Sequence, residues 1–382
     1  MQKTILLFWL LLTGAVSSQA QELPPCSQRP TILSLPIVRS GVGCLEEVIH
    51  DQIGGELGFT ALATGPDGTL YATRPRAGQV LALRDQDGDG LPETPRVLAE
   101  GMTLPNGIAY HADALYISGG SHIYRLMLDG ERALEVLIDD LPAGYTGFWT
   151  GDLTVGPDER LYVATGAPCD FCEPEEAGRG AILSFALDGS DRQVVATGLR
   201  QPADLAFREG VLWTVDTARD ALEDADLDEL NRVEAGAHFG WPYCVGMDNR
   251  PDLPDVEFNC EEAVAPALTF PTHSTPLGLA AYSAGTLPAF EGTLLVVLGG
   301  TDNELAVEGY SLVMVPFDEA GDPVEMVEIV PGAGGLGRDL ERSERHYRQL
   351  SFFPHRPLDV AVSPEGWIYV SVGDGQIVAL RP

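Results

Sequence analysis

One phrase returns six times along this chain: an alternating apolar run, a turn, and a second run that usually carries Tyr or Trp near its start. The copies begin near Ala61, Gly107, Asp152, Asp204, Gly278 and Asp359. Repeats of roughly 40–50 residues, each made of three or four short strands, are typical of β-propeller blades. The sequence therefore predicts an all-β protein folded as a six-bladed β-propeller, with its chemistry at one end of a central channel.

The first residues have the pattern of an export signal. Lys3 precedes the apolar run Ile5–Leu12, and a small-x-small cleavage site ends at Ala20. The run is shorter than the about 20 residues that span a bilayer. We therefore expect a periplasmic or secreted protein that does not insert into the membrane after cleavage.

Together, the signal and the repeats divide the chain into three stretches. We expect a signal peptide over residues 1–20, a segment leading into the propeller over 21–58, and the six-bladed propeller over 59–382. No linker rich in Ser, Gly or Pro interrupts the repeats. Blades accumulate as one closed unit, so a single folded domain is expected despite the length.

The chain is strongly acidic, with a formal net charge of −34, and Lys3 is its only lysine. The negative electric field around so acidic a protein repels nucleic acid and anionic membrane surfaces, so neither is expected as a partner. An acidic substrate would need a local arginine site. A highly solvated, salt-tolerant surface is the favoured interpretation of the charge.

Six cysteines in an exported chain favour three disulfides. Proximity in sequence favours the pairs Cys26–Cys44, Cys169–Cys172 and Cys244–Cys260. The Cys-x-x-Cys spacing of the second pair also occurs in redox motifs, but here it stands in a loop between strands. A structural staple is the favoured interpretation and a redox role the alternative.

An acidic loop after the first repeat has the spacing of a calcium site. Its carboxylates are Asp85, Asp87, Asp89 and Glu93. Ca²⁺ prefers six to eight oxygen ligands, and Gly90 permits the sharp turn that such a loop needs. Arg96 stands where an EF-hand has Glu, so this would be a shorter, structural site between blades one and two. An acidic hairpin tip is the alternative.

The loops that enter the innermost strands lie at one rim of a propeller channel and mark the predicted mouth. They are Gly58–Thr60, Leu104–Asn106, Gly147–Thr150, Leu199–Pro202, Thr272–Thr275 and Pro354–Pro357. His273 and His355 are candidate general bases, because the unperturbed pKa of imidazole lies near 6.5. Arg200 and Arg356 carry planar guanidinium groups that suit carboxylate or quinone oxygens.

Three aspartates stand just inside these strands and would ring the channel below the mouth. They are Asp152, Asp204 and Asp359. Asp204 is our second catalytic candidate beside His273. The alternative is that each aspartate only ties neighbouring blades together by accepting backbone hydrogen bonds.

Several segments resemble the PQQ-dependent soluble sugar dehydrogenases (PQQ, pyrroloquinoline quinone). The specific part is Asp228–Val233 (DELNRV) with Gly236–Cys244 (GAHFGWPYC), and Gly198–Ala206 (GLRQPADLA) is also similar. The sorbosone dehydrogenase branch is the most similar. Its pattern is found in Ala167–Cys172 (APCDFC), His273–Ala280 (HSTPLGLA) and Arg356–Val362 (RPLDVAV).

The resemblance implies a quinoprotein in which PQQ lies across the channel mouth above a calcium ion. A His base would take the C1 hydroxyl proton while hydride passes to the quinone, and electrons would leave to a separate acceptor. Matched residue by residue, Arg200 falls on the family's cofactor-contacting arginine and Gln201 replaces the Asn beside it. Arg356 falls on one of two C-terminal arginines.

The chain also departs from the family pattern. Phe148 occupies the position of the catalytic His, and Leu358 that of the second C-terminal arginine. The cofactor-contacting lysine has no counterpart, since Gly299 and Gly300 stand near its place. The Gly-Pro segment that would supply backbone oxygens to the catalytic calcium is missing near Asp216.

Three functions remain open at this point. The first is a divergent PQQ-dependent dehydrogenase for an aldose or sugar aldehyde, with His273 as the base. The second is a calcium-dependent lactonase whose metal would be held by Asn106, Asp204 and Asp359 and would activate water. The third is a propeller that binds a sugar or a protein at its rim without catalysis.

Overall fold

In the computed structural model, six sheets of four or five strands form a six-bladed β-propeller, which confirms the predicted fold. It describes residues 23–34, 36, 38–51, 58–130, 133–142, 148–219, 227–245, 248–249, 258–300, 309–332, 353 and 355–382. The predicted signal peptide lies outside the described residues. Within them, no helix is long and apolar enough to cross a membrane.

The first strand of the chain is β1 (Cys44–His50). In blades 1 to 3, which follow it, the strands succeed one another outward from the channel in chain order. Blade 1 contains β2 (Leu62–Thr64), β3 (Leu70–Arg74), β4 (Gln79–Arg84) and β5 (Thr94–Glu100). Blade 2 contains β6 (Pro105–His111), β7 (Ala114–Gly119), β8 (His122–Met127) and β9 (Leu134–Ile138). Blade 3 contains β10 (Thr150–Val155), β11 (Arg160–Thr165), β12 (Ala181–Ala186) and β13 (Gln193–Thr197).

Blades 4 to 6 follow the same plan with small additions. Blade 4 contains β14 (Pro202–Arg208), β15 (Val211–Asp216), β16 (Asp228–Val233) and, later in the chain, β20 (Leu268–Phe270). Between them come β17 (Ala237–His238), which joins blade 3, and the hairpin of β18 (Cys244–Val245) and β19 (Asp248–Asn249). Blade 5 contains β21 (Pro276–Ala281), β22 (Leu294–Leu298), β23 (Ser311–Val315) and β24 (Val327–Val330). Blade 6 contains β25 (Pro357–Val362), β26 (Ile368–Val372) and β27 (Gln376–Arg381). Short 3₁₀ turns occupy Cys26–Gln28, Pro75–Ala77, Cys260–Glu262 and Pro288–Phe290.

The hydrophobic core lies between neighbouring blades. Blades 1 and 2, for example, bury Val80 against Leu115 and Ile117, all fully inaccessible. Each sheet is apolar on both faces, which is why the second strand of each blade has an almost continuous apolar sequence. This packing fixes each blade relative to the next and therefore fixes the channel that their inner strands enclose.

The N-terminal segment closes the ring. Strand β1 pairs antiparallel with β27 and supplies the outermost strand of blade 6. Its fully buried Glu46 accepts hydrogen bonds at 2.8 Å from Arg29 Nη1 and from Arg381 Nε and Nη2, and one at 2.7 Å from Thr31. A buried carboxylate stabilises the fold only while the arginines that bind it are present. The pairing of β1 with β27 therefore depends on Glu46, Arg29 and Arg381 together.

The three disulfides that sequence proximity favoured are present: Cys26–Cys44, Cys169–Cys172 and Cys244–Cys260. The first joins the N-terminal turn to β1. The second closes a loop after β11. The third joins Cys244 in β18 to Cys260, the first residue of the 3₁₀ turn Cys260–Glu262. Each bridge therefore restrains a segment outside the regular blades.

Candidate active site

Four of the six predicted entry loops line one cavity at the channel mouth, with a volume of about 180 Å³; the loops Thr272–Thr275 and Pro354–Pro357 supply none of its described lining residues. Every blade contributes to its wall. The described lining consists of Thr60, Ala61, Asn106, Trp149, Thr150, Gly151, Asp152, Gln201, Pro202, Ala203, Leu277, Leu358 and Asp359. Each inner strand begins inside its predicted entry or no more than two residues after it, so the first residues of these strands reach the same level of the channel.

A group of three carboxylates forms the floor of this cavity. One oxygen from each of Asp152, Asp204 and Asp359 lies within 4.8 Å of the others, and all three side chains are buried. We call them the channel triad. Below it opens a second cavity of about 400 Å³, and Asp204 lines only this lower one, whereas Asp152 and Asp359 line both. The triad therefore separates the mouth from the opposite end of the channel.

Each triad carboxylate ties its blade to a neighbour. Asp152 accepts the N–H of Ile108 at 2.8 Å, Asp204 that of Leu279 at 2.5 Å, and Asp359 that of Leu62 at 2.6 Å. Each also accepts the N–H of the residue that follows it. The structural role that the sequence left open as an alternative is thus present, and it positions the carboxyl groups at the channel axis.

Two glycines make room for the triad. At Gly107 a Cβ atom would lie 2.5 Å from Asp152 Oδ1, and at Gly278 one would lie 2.8 Å from Asp359 Oδ1. Both glycines occupy the position at which blades 3, 4 and 6 carry their aspartates. A glycine in one blade therefore allows a carboxylate from the next blade to come close: Gly107 admits Asp152, and Gly278 admits Asp359.

Burial and mutual repulsion keep protons on the triad. Burial raises the pKa of Asp152 and of Asp204 well above the usual range, and the neighbouring triad carboxylates add to the effect. Burial raises the pKa of Asp359 to about 7. Because the three groups interact, they titrate as one unit. The cavity floor can accordingly exchange a proton near neutral pH.

Arg200, a predicted cofactor ligand, is buried outside the cavity lining. Its Nε and Nη2 donate to Asp170 Oδ1 at 3.1 and 2.5 Å, and its Nη1 donates to the carbonyls of Thr217 and Ala218. The guanidinium carbon lies 4.2 Å from the centroid of the Phe148 ring. Arg200 therefore holds the loop of the Cys169–Cys172 disulfide against Phe148.

Gln201, the next predicted ligand, does line the cavity. Its backbone N–H donates to Asp216 Oδ1 at 2.6 Å, while the N–H of Arg200 donates to Oδ2 at 2.9 Å. Burial raises the pKa of this Asp216 carboxyl to about 6. The carboxyl fixes the turn from which the Gln201 side chain enters the mouth.

The remaining predicted residues, His273 and Arg356, are not part of the described cavity lining. His273 has a φ of 67°, in the left-handed region that non-glycine residues rarely adopt. Arg356 directly precedes β25. Nearby, His355 Nε2 lies 3.4 Å from Asp374 Oδ2, which also pairs with His50 at 3.0 Å. Among the described residues, the candidate proton acceptor that the mouth presents is therefore carboxyl and not imidazole.

The acidic loop brings its four predicted ligands together. Asp85, Asp87, Asp89 and Glu93 each offer an oxygen within 4.8 Å of the others. The loop connects β4 to β5 within blade 1 and packs against blade 6, where Arg381 Nη1 donates to the carbonyl of Asp89 at 3.1 Å. The expected position between blades 1 and 2 was wrong, because the loop leaves the third strand of its own blade and not the last.

Residues 59–379 match the family model described as Glucose / Sorbosone dehydrogenase. The chain belongs to this family. No curated protein matches it. The solved structures that it resembles share the fold at low identity. The PQQ domain of pyranose dehydrogenase from Coprinopsis cinerea, in its holo form, has a TM-score of 0.72 at 16% identity, covering 90% of this chain and 96% of that one.

Two bacterial structures show the same relationship to this glucose/sorbosone dehydrogenase family member. The PQQ-bound aldose sugar dehydrogenase from Streptomyces coelicolor has a TM-score of 0.60 at 19% identity, covering 89% and 98% of the two chains. A protein from Thermus thermophilus described as a putative oxidoreductase (glucose dehydrogenase) has a TM-score of 0.61 at 22% identity, covering 88% and 99%. The recognised resemblance is thereby confirmed at the level of the family and the fold.

Sequence reasoning missed two features of this family member's mouth. Thr60 Oγ1 is buried in the cavity wall and has no hydrogen-bond partner within the described part of the chain. Trp149 is 53% exposed although it lines the cavity. The sequence signal for both was their position in an entry loop, but only the packing around them shows an unsatisfied hydroxyl and an uncovered ring.

Proposed function

We propose that this protein is an exported, PQQ-dependent dehydrogenase that oxidises an aldose or sugar aldehyde at the channel mouth and passes electrons to a separate acceptor. The observation that carries the proposal is the mouth cavity itself. All six blades of a sugar-dehydrogenase-type propeller line it, and its floor holds the Asp359 carboxyl, whose pKa burial raises to about 7. A general base works best when its pKa lies near the working pH.

The donor set at the mouth fits a flat, carbonyl-rich cofactor. The orphaned Thr60 hydroxyl and the Gln201 amide can each donate to a quinone or carboxylate oxygen. Arg356 would neutralise a cofactor carboxylate from the rim. Because Arg200 is engaged by Asp170 and two carbonyls, its part is to hold the wall of the site.

The triad supplies the proton acceptor in this proposal. When bound, PQQ would accept the hydride from the sugar's C1. Asp152 and Asp359 both face the mouth, and Asp359, with its pKa raised to about 7, can take the proton of the C1 hydroxyl, with Asp204 sharing it from below. This arrangement accounts for a site in which Phe148 occupies the family's His position. His273 is the competing candidate base, and the activities of the His273→Ala and Asp359→Asn variants distinguish the two candidates.

Reconstitution with cofactor tests the proposal directly. We expect PQQ with Ca²⁺ to raise the melting temperature of the purified protein saturably, since a ligand at a hundredfold excess over Kd stabilises by roughly 2.7 kcal/mol. Reduction of an artificial electron acceptor by an aldose should then depend on PQQ. A melting temperature unmoved by PQQ, with no sugar oxidation, would leave a non-catalytic sugar-binding propeller, the function that Phe148 and the engaged Arg200 would then favour.

We also propose that the acidic loop holds a structural calcium ion. Buried Glu93 Oε1 has no hydrogen-bond partner among the described residues, and burial raises the pKa of this carboxyl, with the nearby Asp87 adding to the shift. A divalent cation would satisfy all four carboxylates. The loop contacts Arg381 on the strand that pairs with β1, so the ion would also support ring closure.

Chelation and substitution test the calcium loop. We expect EDTA to lower the melting temperature of the wild-type protein by several degrees, and Asp87→Asn to lower it similarly and abolish the effect of EDTA. Asp318→Asn is the matched control, because Asp318 also accepts backbone N–H groups in an exposed turn but lies outside any described carboxylate cluster. Equal responses of both variants to EDTA would contradict a calcium ion in this loop.

A further inference from the structure

The channel is open on both sides of the triad, and the proposed reaction uses only the upper side. The lower cavity has a volume of about 400 Å³, against about 180 Å³ for the mouth. At about 30 Å³ per molecule it has room for on the order of ten waters. The inner strands of all six blades line it, and Thr64, Thr154 and Phe207 in its wall are half-exposed. The lower cavity therefore opens to solvent at the end of the channel opposite to the mouth.

Small side chains keep this lower part of the channel open. Residues two positions apart on a strand point to the same side, so the second residue after each position at the level of the triad lies one layer further down. That layer consists of Ala63, Ala109, Thr154, Ala206, Ala280 and Ala361, and each of them lines the lower cavity. Large side chains at these positions would fill the channel. The space directly below the carboxyl groups is therefore left for water.

Asp204 differs from the other triad members in the side of the channel that it faces. Asp152 and Asp359 line both cavities, whereas Asp204 lines only the lower one. Burial raises the pKa of Asp359, and a hydrogen bond with Asp204 opposes that shift. Burial also raises the pKa of Asp204 well above its usual range, so Asp204 holds the proton that the two carboxyls share. A protonated group thus faces the lower cavity while its acceptor reaches the mouth.

The lower cavity has further ionisable groups away from the triad. Tyr110 and His111 line it, and the Tyr110 hydroxyl donates to Asp113 Oδ1 at 2.8 Å. His111 Nε2 lies 3.0 Å from Oε2 of Glu159, a residue of the turn between β10 and β11 whose side chain is 67% exposed. An imidazole and a carboxylate at this end can pass protons between the cavity and bulk water.

We propose that the proton taken from the sugar leaves through the lower end of the channel, with Asp204 as the relay between the mouth and the lower cavity. This inference rests on the proposed function, in which ligands occupy the mouth and displace water from the upper side of the triad. Asp204 gives its proton to water below, and Asp359 then passes the proton of the C1 hydroxyl to Asp204. The triad ends with the protons that it held at the start, and one proton has crossed the channel.

A plug below the triad tests this route without removing any hydrogen-bond partner of the three carboxyls. Ala109→Phe combined with Ala280→Phe would fill the layer from blades 2 and 5, on opposite sides of the ring. In the PQQ-loaded protein we expect kcat to fall about tenfold, because proton release becomes rate-limiting. The solvent deuterium isotope effect on kcat should rise, and the PQQ affinity should not change. Ala186→Phe, at a half-exposed alanine outside both cavities, should match the wild type.

Deuterium exchange gives a second readout that needs no turnover. Infrared spectroscopy in D₂O follows the C=O stretching bands of protonated carboxyl groups, and Asp204→Asn identifies the band of Asp204. We expect fast exchange in the PQQ-loaded wild type and slow exchange in the PQQ-loaded plugged variant. The plugged variant without PQQ should again exchange fast, through its open mouth.

Asp204→Asn tests the relay itself. Its amide cannot take up and release a proton, so kcat should fall, and added imidazole, a mobile proton carrier, should restore part of it. The same imidazole should have no effect when the plug is also present. Because a purely structural loss would not respond to imidazole, rescue distinguishes the relay from the inter-blade hydrogen bonds that Asp204 also makes.

Two results would overturn the inference while leaving the proposed function intact. One is a plugged variant with wild-type kcat and fast exchange when loaded with PQQ. The other is an Asp204→Asn variant whose kcat is unchanged, or is lost and not restored by imidazole. A wild-type protein that neither binds PQQ nor oxidises a sugar would instead remove the proposed function, and the proton route with it.

Discussion

The melting temperature of this protein should fall as the pH rises from about 4 to 7.5, because the buried channel triad retains protons that the unfolded chain releases. The pKa of Asp359 is raised from 3.8 to about 7, so the folded state binds more protons throughout that window. Its stabilising contribution is complete below the unfolded pKa and is lost as the pH rises through the folded one. Three pH units at about 1.4 kcal/mol each correspond to roughly 4 kcal/mol.

Asp152→Asn should remove much of this dependence. Both backbone N–H groups that bind Asp152, those of Ile108 and Leu153, donate to the same oxygen, Oδ1. The amide oxygen of Asn can accept both, and its NH₂ group can donate to the two remaining carboxylates. We therefore expect the variant to equal or exceed the wild type in stability at pH 8, with the difference shrinking towards pH 5.

Asp204→Asn and Asp359→Asn are the matched controls. Each of these carboxylates uses both oxygens for different N–H groups: Leu205 and Leu279 for Asp204, Val360 and Leu62 for Asp359. An amide would place its NH₂ against one N–H, which costs about 1–3 kcal/mol at every pH. Urea denaturation across pH would measure all variants, and comparison with the wild type at each pH cancels the general charge repulsion.

Two results would contradict this account. One is an Asp152→Asn variant destabilised as much as Asp204→Asn at all pH values. The other is a wild-type stability that does not change with pH, as a permanently bound cation among the carboxylates would produce.

Asp359→Asn should reduce kcat/KM of the PQQ-loaded protein by 10²- to 10⁴-fold, the range typical of a lost general base. The base must be deprotonated to act, so wild-type kcat/KM should rise with pH to a plateau, with an apparent pKa near 7. Burial, the cause of the raised pKa of Asp359, is unchanged in Asp152→Asn. The acid limb of that variant should therefore lie near that of the wild type.

His273→Ala separates the two candidate bases. We expect it to retain activity within a few fold, since His273 is not part of the described cavity lining. Circular dichroism and PQQ titration would give the folded, cofactor-binding fraction of each variant, so that a loss of activity is not a loss of fold. A hundredfold loss in His273→Ala together with an active Asp359→Asn would return the role of base to the histidine.

Much of the fold was predictable from sequence because it is encoded in local patterns. The six repeats predicted the six inner strands, from Leu62–Thr64 in blade 1 to Pro357–Val362 in blade 6. The disulfides were predictable because each pair lies at most 18 residues apart. Local spacing also brought the four acidic-loop carboxylates together, although the blade they serve was misplaced.

The site was less predictable, because its properties depend on residues that are distant in sequence. Nothing local to Arg200 shows that Asp170 and the carbonyls of Thr217 and Ala218 occupy its donors. Nothing near His273 shows that its ring is not part of the described cavity lining. These outcomes depend on how loops from different blades pack, and long-range packing leaves no periodic signal in the chain.

By itself, the sequence determined the number of blades and the family, and it favoured the three disulfide pairs that are present. Only the tertiary structure decided that Asp152, Asp204 and Asp359 lie within 4.8 Å of one another and share a buried floor. Closure of the ring brings these residues, 207 positions apart at the extremes (359 minus 152), to one axis. Removal from water and repulsion between the carboxylates raise their pKa values. These values are therefore properties of the assembled channel and not of any one segment.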